Sequence, residues 1–412
     1  MTSIQGAMAA FAIILIDLLS RAGLDKVLAW AGSPTMVAQW AQLQSVAELV
    51  SAVALAGVLQ GLTVLIVQTG EARDERSLLR SALKLGLITS LTVALIVALA
   101  AFALSASLYR NNLASDLFIL AALTGCIAII PATLNAYWLG KHQQQRMLWL
   151  ALLSSAVLSL IAAGAWFGLS LRALMLVQCF ILAISAVLVW QYLRRLVQPN
   201  ENQADDTGYL RKLVRFVPVG LAIGIMSPIS MLAIRGMLSH TLSWNDVGHL
   251  QALWRSTEWV TATAAGVLSL IFLPRLSSSY GSTRFKVEMM RAGVTVLIPA
   301  AGLLLLIFSH QRLILAALYD ARFTVSDETA ALFMLGSWIR IASWLFLFGL
   351  FAAHRTRLII VGEFLSLPLF AILLWQFADG MTLERTTLLY LGSYLAYLSF
   401  NVFGLLSSSL EI

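Results

Sequence analysis

Long apolar runs, separated by short polar loops, dominate this chain. A transmembrane helix needs about 20 mostly apolar residues, and the runs reach that length without the alternation of a β-strand. Only 11% of the 412 residues are charged and 60% are hydrophobic, whereas a soluble protein has about 25% charged residues. The sequence therefore predicts an all-α polytopic membrane protein rather than a soluble enzyme, a disordered chain or a disulfide scaffold. We predict twelve spans, at residues 7–31, 37–67, 82–107, 115–138, 147–169, 172–193, 213–239, 246–273, 290–309, 328–353, 358–378 and 387–406.

Sequence features of other protein classes are missing. Cys126 and Cys179 both lie in apolar runs, which favours packing over a disulfide or a metal site. The chain has no P-loop, metalloprotease or hydrolase motif, so we predict no enzyme activity, no cofactor and no metal. The net charge of +7 comes mainly from loops, which favours membrane orientation over nucleic-acid binding. Residues 1–16 have no basic n-region, so we interpret them as the beginning of a span rather than a signal peptide.

Positive residues divide unevenly between the loops. Sixteen Lys and Arg residues lie on one side of the predicted membrane and five on the other. Loops rich in Lys and Arg stay in the cytoplasm, so we expect both termini to be cytoplasmic. The sixteen are found in the loops at 69–81, 140–146, 194–215, 274–291 and 353–357.

A weak internal repeat divides the chain. Residues 38–50 align without a gap with residues 248–260, at an offset of 210. The longest polar segment, 194–215, falls between the two copies. With six helices in each half, both halves begin on the same side of the membrane and the repeat is parallel. The predicted parts are a six-helix lobe at 1–195, a cytoplasmic linker at 196–212 and a pseudo-symmetric six-helix lobe at 213–412.

Charged residues inside the spans are the candidates for function. An ionisable group near mid-bilayer costs at least about 2.5–3.5 kcal/mol, so it normally faces a bundle interior or a wet cavity. Guanidinium groups from several helices favour a diphosphate over a cationic drug, because the planar Arg side chain can donate two parallel hydrogen bonds to phosphate oxygens. We interpret spans 3, 4, 5, 6, 9 and 12, which have no deep charge, as lipid-facing scaffold. The candidate anion-binding cations are Arg21, Lys26, Arg235, Arg255 and Arg340; the candidate ion-coupling acids are Asp17, Asp25, Glu48 and Glu258.

Most of these charges have a structural alternative. Asp17, Arg21 and Asp25 recur every four residues, so they can neutralise one another along one stripe. Arg255 and Glu258 have the spacing of a local ion pair. Arg340 has no acidic residue within a turn and is the strongest single candidate.

Three further residues have predicted roles. Pro218 and Pro228 in the seventh span are candidate hinge residues, because each proline removes a helical hydrogen bond; a static kink is the alternative. Glu363 is interpreted as a structural partner of the basic loop. The Trp and Tyr residues are interpreted mainly as interface belts and packing, although some can stack on sugar rings.

Ordered motifs in the second half carry a family resemblance. This set resembles the Wzx-type flippases of bacterial polysaccharide synthesis, in particular the lipid III flippases of enterobacterial common antigen synthesis, within the MOP exporter superfamily. The motifs are Trp244-Asn245-Asp246-Val247-Gly248, Phe272-Leu273-Pro274-Arg275-Leu276-Ser277, Arg322-Phe323-Thr324 and Gly336 to Arg340.

The resemblance implies a two-lobed, twelve-helix transporter of the bacterial inner membrane. It implies alternating access that moves undecaprenyl-diphosphate-linked oligosaccharide, of O-antigen or enterobacterial common antigen type, to the periplasmic leaflet. A polysaccharide polymerase and a chain-length regulator are the implied partners. Lys26, Arg235 and Arg340 stand where the family has cations. The chain departs from relatives at Glu258, where they tend to have Asp, and in its tail, which lacks their basic cluster.

Three other functions are open. A MATE-like exporter of small drugs predicts a cavity dominated by acids. A membrane scaffold that organises polysaccharide enzymes predicts tolerance of neutralised charges. Flipping of lipid II is the third, although that family usually has fourteen spans.

Overall fold

A computed structural model describes residues 3–68, 72–109, 114–141, 143–197, 206–219 and 224–409. All regular secondary structure in this part of the chain is helical. The chain forms two compact units, Met1–Leu232 and Ala233–Ile412.

The first unit is a bundle of long helices. α2 continues through a π-helical segment, Ala54–Leu59, into α3. The helices are α1 Ser3–Ala31, α2 Pro34–Val53, α3 Gln60–Gln68, α4 Ala72–Tyr109, α5 Ser115–Ile127, α6 Ile129–Gly140, α7 Gln144–Trp166, α8 Leu171–Val197, α9 Asp206–Val214, α10 Val217–Val219 and the first turns of α11 Met226–Thr241.

The second unit has the same kind of architecture. Its first long helix also runs into a π-helical segment, Leu268–Phe272. The helices after α11 are α12 Trp244–Val267, α13 Leu273–Ser279, α14 Thr283–Ser309, α15 Gln311–Leu318, α16 Asp327–Ala352, α17 Thr356–Phe364, α18 Leu367–Gln376 and α19 Leu383–Ser409.

Nine helical segments of the described residues are long and apolar enough to cross a membrane. Eleven of the twelve predicted spans fall mainly on helix, and the seventh does so only in part. Three of the predicted spans are not among these nine segments. The side chains at the beginning of the first span lie outside the described residues, and the seventh span is interrupted. The eighth span carries Asp246, Arg255 and Glu258. The nine are Pro34–Ile66, Glu75–Leu108, Ser115–Gly140, Gln144–Trp166, Leu171–Leu196, Thr283–Ser309, Asp327–Ala352, Thr356–Gln376 and Leu383–Ser407.

The seventh span is not the continuous helix that its apolar pattern suggests. α9 ends at Val214, a turn follows, and Pro218 lies in the three-residue α10. Residues 220–223 lie outside the described part of the chain. Pro228 occupies the first turn of α11, where its missing N–H costs no helical hydrogen bond. The interruption therefore belongs to the Pro218 region, and the hinge role of both prolines stays a prediction.

The same local structures end and begin helices in both units. Ser33 caps α2 by accepting a hydrogen bond from Met36 N, and Ser243, 210 residues later, caps α12 by accepting one from Asp246 N. After α6, Gln143 N donates to Trp138 O (2.9 Å), and after α16, Arg355 N donates to Leu350 O (3.1 Å). These turns have the six-to-one hydrogen bond of a Schellman motif. The two halves are therefore pseudo-symmetric in detail, as the repeat predicts.

Other parts of the predicted organisation differ or stay open. The predicted linker at 196–212 is helical from Asp206, and 198–205 lie outside the described residues, so the lobe boundaries stay a prediction. α19, taken as lipid-facing scaffold, instead buries Tyr390, Tyr394 and Tyr397 in the second unit. A span without deep charge can line the core because a tyrosine hydroxyl needs only one hydrogen-bond partner.

Candidate anion-binding residues

The charged stripe of α1 is partly self-neutralised. Arg21 Nε lies 3.0 Å from Asp17 Oδ2, and both side chains are about half exposed within the chain. Asp25, one turn further on, is buried, and Lys26 beside it is exposed. Both cations of α1 therefore lie at the surface, where a ligand can reach them, and Arg21 has the exposed Asp17 as its partner.

Glu48 stands apart from that stripe on α2. Its side chain is exposed, and no described residue forms an ion pair with it. One turn away, Gln44 and Gln178 of α8 exchange reciprocal amide hydrogen bonds of 3.0 and 3.3 Å. An isolated carboxylate on a membrane helix fits the predicted ion-coupling role, which stays a prediction.

Arg235 of α11 is fixed by an amide. Its Nε and Nη2 both donate to Gln251 Oε1, at 3.1 and 3.0 Å. Gln251 lies on α12 and is buried. Because Gln251 is neutral, this contact orients the guanidinium while leaving its charge in place.

Arg255 is the cation that the structure pairs most directly. Its Nη1 lies 2.6 Å from Glu258 Oε2, one turn further along α12. This is the local ion pair that the spacing allows. Gln251, Arg255 and Glu258 thus follow one face of α12, at steps of four and three residues.

Arg340, at the middle of α16, is held by aromatic rings. Its guanidinium carbon lies 4.7 Å from the centroid of Trp344 and 5.7 Å from that of Tyr394. Its Nε is buried without a hydrogen-bond partner, and no described carboxylate forms an ion pair with it. Glu258 is near enough to act on its charge electrostatically. A buried cation without a counter-ion is costly, so it is suited to receive an anion.

The second unit therefore brings together three of the five predicted cations and one of the four acids. Arg235, Arg255 and Glu258 are linked along α12, and Arg340 lies within electrostatic range of Glu258. With one carboxylate for three guanidinium groups, this set carries an excess of positive charge. Arg21, Lys26, Asp17, Asp25 and Glu48 belong to the first unit, and their convergence with this set stays a prediction. The described residues contain no group of three His, Cys, Asp or Glu placed to hold a metal.

An aromatic cluster in the second unit was not among the predicted site residues. Tyr390 packs between Phe333, Phe370 and Trp254, with ring centroids 4.7 to 5.5 Å apart. Tyr394 and Tyr397 continue the row along α19. The signal was present, because residues 390, 394 and 397 recur at helical spacing.

Glu363 has a different partner from the one expected. Its Oε1 accepts a hydrogen bond of 2.8 Å from the hydroxyl of Tyr397. The described residues contain no ion pair to it from the basic loop at 353–357. The interpretation of Glu363 as a partner of that loop is therefore wrong.

Solved transporter structures resemble the whole chain. The crystal structure of MATE in complex with MaL6 matches with a TM-score of 0.68 and 12% identity, over 99% of this chain and 95% of that one. The inward-facing conformation of a multidrug resistance MATE family transporter of the MOP superfamily matches with a TM-score of 0.66 and 14% identity, over 97% and 94%.

A lipid flippase matches as well. The inward closed conformation of the lipid II flippase MurJ has a TM-score of 0.67 and 14% identity, over 99% of this chain and 90% of that one. No protein-family model and no curated protein sequence matches the chain. The chain is therefore a multi-pass membrane protein with the helical transporter fold that the MATE proteins and MurJ share.

Proposed function

We propose that this chain is a flippase for undecaprenyl-diphosphate-linked oligosaccharide in a bacterial inner membrane. The diphosphate binds the cations of the second half, while the prenyl tail stays in lipid. The glycan is carried from the cytoplasmic to the periplasmic leaflet by alternating access. Its class, O-antigen or lipid III-like, follows from the motif resemblance, and both termini are placed in the cytoplasm by the loop charges.

The observation that carries the proposal is the state of Arg340. It is a permanent positive charge inside a membrane bundle, with aromatic faces on two sides and no carboxylate ion pair within the described residues. A substrate phosphate supplies the counter-ion that the protein does not, and Arg235 and Arg255 lie on neighbouring helices of the same unit.

The test is transport by variants of Arg340. Each charged hydrogen bond contributes about 1.5–3 kcal/mol, so Arg340→Ala should lower the rate of glycan delivery by about 10- to 100-fold. Arg340→Lys keeps the positive charge but loses the two parallel hydrogen-bond donors of the guanidinium group, and we expect an intermediate rate of glycan delivery. The measurement is complementation of a bacterial strain that lacks its flippase, with protein level measured in the membrane fraction.

The matched control is Arg291→Ala on α14, whose side chain is 65% exposed and pairs with Glu288. We expect full activity there. If Arg340→Ala and Arg291→Ala complement equally well at equal protein level, Arg340 binds no substrate anion. Alanine at Arg21, Arg235 and Arg255 tests the wider set in the same assay.

Export of small drugs is the second candidate, favoured by the similarity to the multidrug resistance transporter. This function needs the acids rather than the cations. Glu258→Gln would then abolish drug resistance of cells that express the chain, and Arg340→Ala would leave it intact. The flippase proposal expects no change in drug susceptibility with either variant.

A further inference from the structure

Glu363 is an acidic side chain that neither the candidate site nor the proposed function uses. It lies on α17, within the membrane-spanning segment Thr356–Gln376, and is partly buried. The hydroxyl of Tyr397 donates to its Oε1 at 2.8 Å. Among the described residues, no Lys, Arg or His forms an ion pair with it. A carboxylate at such a place is costly unless something neutralises it.

The surroundings of Glu363 have more acceptors than donors. Asn401 lies next to Tyr397 on α19, and its Nδ2 donates to Ser343 O of α16 at 3.3 Å. Asn401 Oδ1 is buried and has no hydrogen-bond partner in the described structure. Tyr397 has one hydroxyl proton, and Glu363 already receives it. The site therefore lacks a donor, and a protonated carboxyl group would add one.

A glycine brings these groups together. A Cβ on Gly362 would lie 3.1 Å from Asn401 Oδ1 and 3.3 Å from Tyr397 Cε2. Without that atom, α17 lies close against α19, so the neighbouring Glu363 meets Tyr397. The contact is part of the packing of α17 and not the chance position of a long side chain.

A row of side chains connects Glu363 to Arg340. The rings of Tyr397 and Tyr394 are 6.2 Å apart, and Arg340 lies over Tyr394. Arg340 acts electrostatically on Glu363. Besides α19, both α16 and α18 pack on α17. α16 contributes Arg340, and α18 at Leu367–Gln376 contains no ionisable residue. The described ionisable groups that face Glu363 are therefore Tyr397 and, beyond it, Tyr394 and Arg340.

We propose that Glu363 is a proton-binding site whose charge state controls the affinity of Arg340 for an anion. When Glu363 is ionised, its negative charge partly offsets the positive charge of Arg340, so Arg340 attracts an anion less strongly. When Glu363 binds a proton, that negative charge is lost and the anion binds more tightly. By linkage, a bound anion favours proton uptake by the same factor. The link to an anion rests on the proposed function, whereas proton binding at Glu363 does not.

The first experiment measures the proton directly. Infrared spectra of the full chain in lipid nanodiscs are recorded across the pH range in which it stays folded. The carbonyl band of a protonated carboxyl group should rise with falling pH and be absent from Glu363→Gln. Glu384→Gln, an exposed acid at the beginning of α19, should keep the band. If wild type and Glu363→Gln give the same titration, Glu363 binds no proton in this range and the proposal is wrong.

A second variant tests the local geometry. Tyr397→Phe keeps the ring but removes the donor that stabilises the ionised carboxylate, so the band should appear at higher pH than in wild type. An unchanged titration would contradict the role of Tyr397. The phenylalanine fills the same space, so a folding defect is not expected from lost packing.

The final experiment measures binding of inorganic pyrophosphate by calorimetry, at a pH where wild-type Glu363 is ionised. Glu363→Gln mimics the protonated form and should bind about fivefold more tightly or better; Arg340→Ala should abolish binding in both backgrounds. If the band titrates but Glu363→Gln leaves the affinity unchanged, the linkage is wrong and the flippase proposal is unaffected. If wild type and Glu363→Gln both fail to bind pyrophosphate, the anion site of the proposed function fails, while the titration still decides proton binding at Glu363.

Discussion

Lys141, just after α6, pairs with the buried carboxylate of Glu75 in the first turn of α4. Its Nζ lies 2.5 Å from Glu75 Oε1, and Tyr137 contacts the second oxygen at 3.4 Å. This hydrogen bond to Glu75 raises the pKa of Lys141 above its ordinary value of 10.5. A raised lysine pKa means that the pair stabilises the fold fully below that ordinary value and loses its effect as the pH rises through the folded one.

Lys141→Met should therefore lower the melting temperature at neutral pH, because it leaves Glu75 buried and unpaired. The difference from wild type should shrink as the pH rises through the raised pKa of Lys141, where the wild-type lysine also loses its charge. Thermal unfolding in detergent at neutral pH and in strongly alkaline buffer measures this. Arg172→Met, which breaks an exposed pair with Asp116, should have a small effect that does not change with pH. A Lys141→Met difference that stays constant across the range would contradict the assignment.

Single residues also show how far the sequence can be interpreted. The spacing of Arg255 and Glu258 predicted their ion pair, and Arg340 was singled out because no acid stands near it in the chain. The partners of Arg340 and Glu363 could not be foreseen, since Tyr394 and Tyr397 come from a helix some fifty residues and thirty residues away. Spacing reports contacts along one helix, whereas contacts between helices depend on how they pack.

Between elements, a glycine of α5 lies very close to the backbone of α2. A Cβ on Gly125 would lie 2.4 Å from Ala47 O and 2.8 Å from Val50 Cβ. Since the carbonyl belongs to the backbone, the helices must move apart to admit it. Gly125→Ala should therefore destabilise the protein by about 1–3 kcal/mol, the usual range for overpacking.

Gly302 on α14 is the matched position, because nothing lies within 4 Å of a Cβ there. Gly302→Ala should be neutral or stabilise by up to about 1 kcal/mol, the helix propensity difference. Denaturation in mixed micelles with a tryptophan fluorescence readout compares the two. Equal stability of both variants would show that α5 and α2 are not packed this closely.

Most of the helices could be predicted, because a membrane-spanning helix needs a long run of apolar residues, and a loop or a β-strand does not have such a run. The π-helical segments at Ala54–Leu59 and Leu268–Phe272 were not, since they have the same apolar composition as the α-helix around them. The break after Val214 had a signal in Pro218. Whether a proline bends a helix or ends it is decided by its neighbours in space, which the sequence does not show.

At the scale of the whole molecule, the orientation of the chain is open to a direct test. α7, with 23 residues, is about 35 Å long at ~1.5 Å per residue, so its two ends lie at opposite membrane surfaces. Gln145 lies in its first turn and Ser170 lies four residues after its end, and both are exposed. A membrane-impermeant maleimide should label Ser170→Cys in intact cells and Gln145→Cys only after permeabilisation.

Wild-type protein is the control for background, because Cys126 is buried and Cys179 donates a hydrogen bond to Leu120 O. Labelling in the opposite order would reverse the predicted topology. Hydropathy predicted the nine helices of the described residues that are long and apolar enough to cross a membrane, while the count of twelve spans and the lobe boundaries stay predictions. Convergence of charges from both halves also stays a prediction, because it depends on which way each helix faces its neighbours.

The serine caps at Ser33 and Ser243 stand 210 residues apart, and the turns after α6 and α16 stand 212 apart. Between these landmarks the two copies have diverged in sequence while changing in length by only a few residues. A chain that crosses the bilayer an even number of times returns to the face where it began. If the gene for such a chain is duplicated in tandem, the second copy inserts into the membrane in the same orientation as the first, with no need to redistribute loop charges. Matching caps and turns at nearly equal spacing are what such a duplication would leave after most of the residues had been replaced.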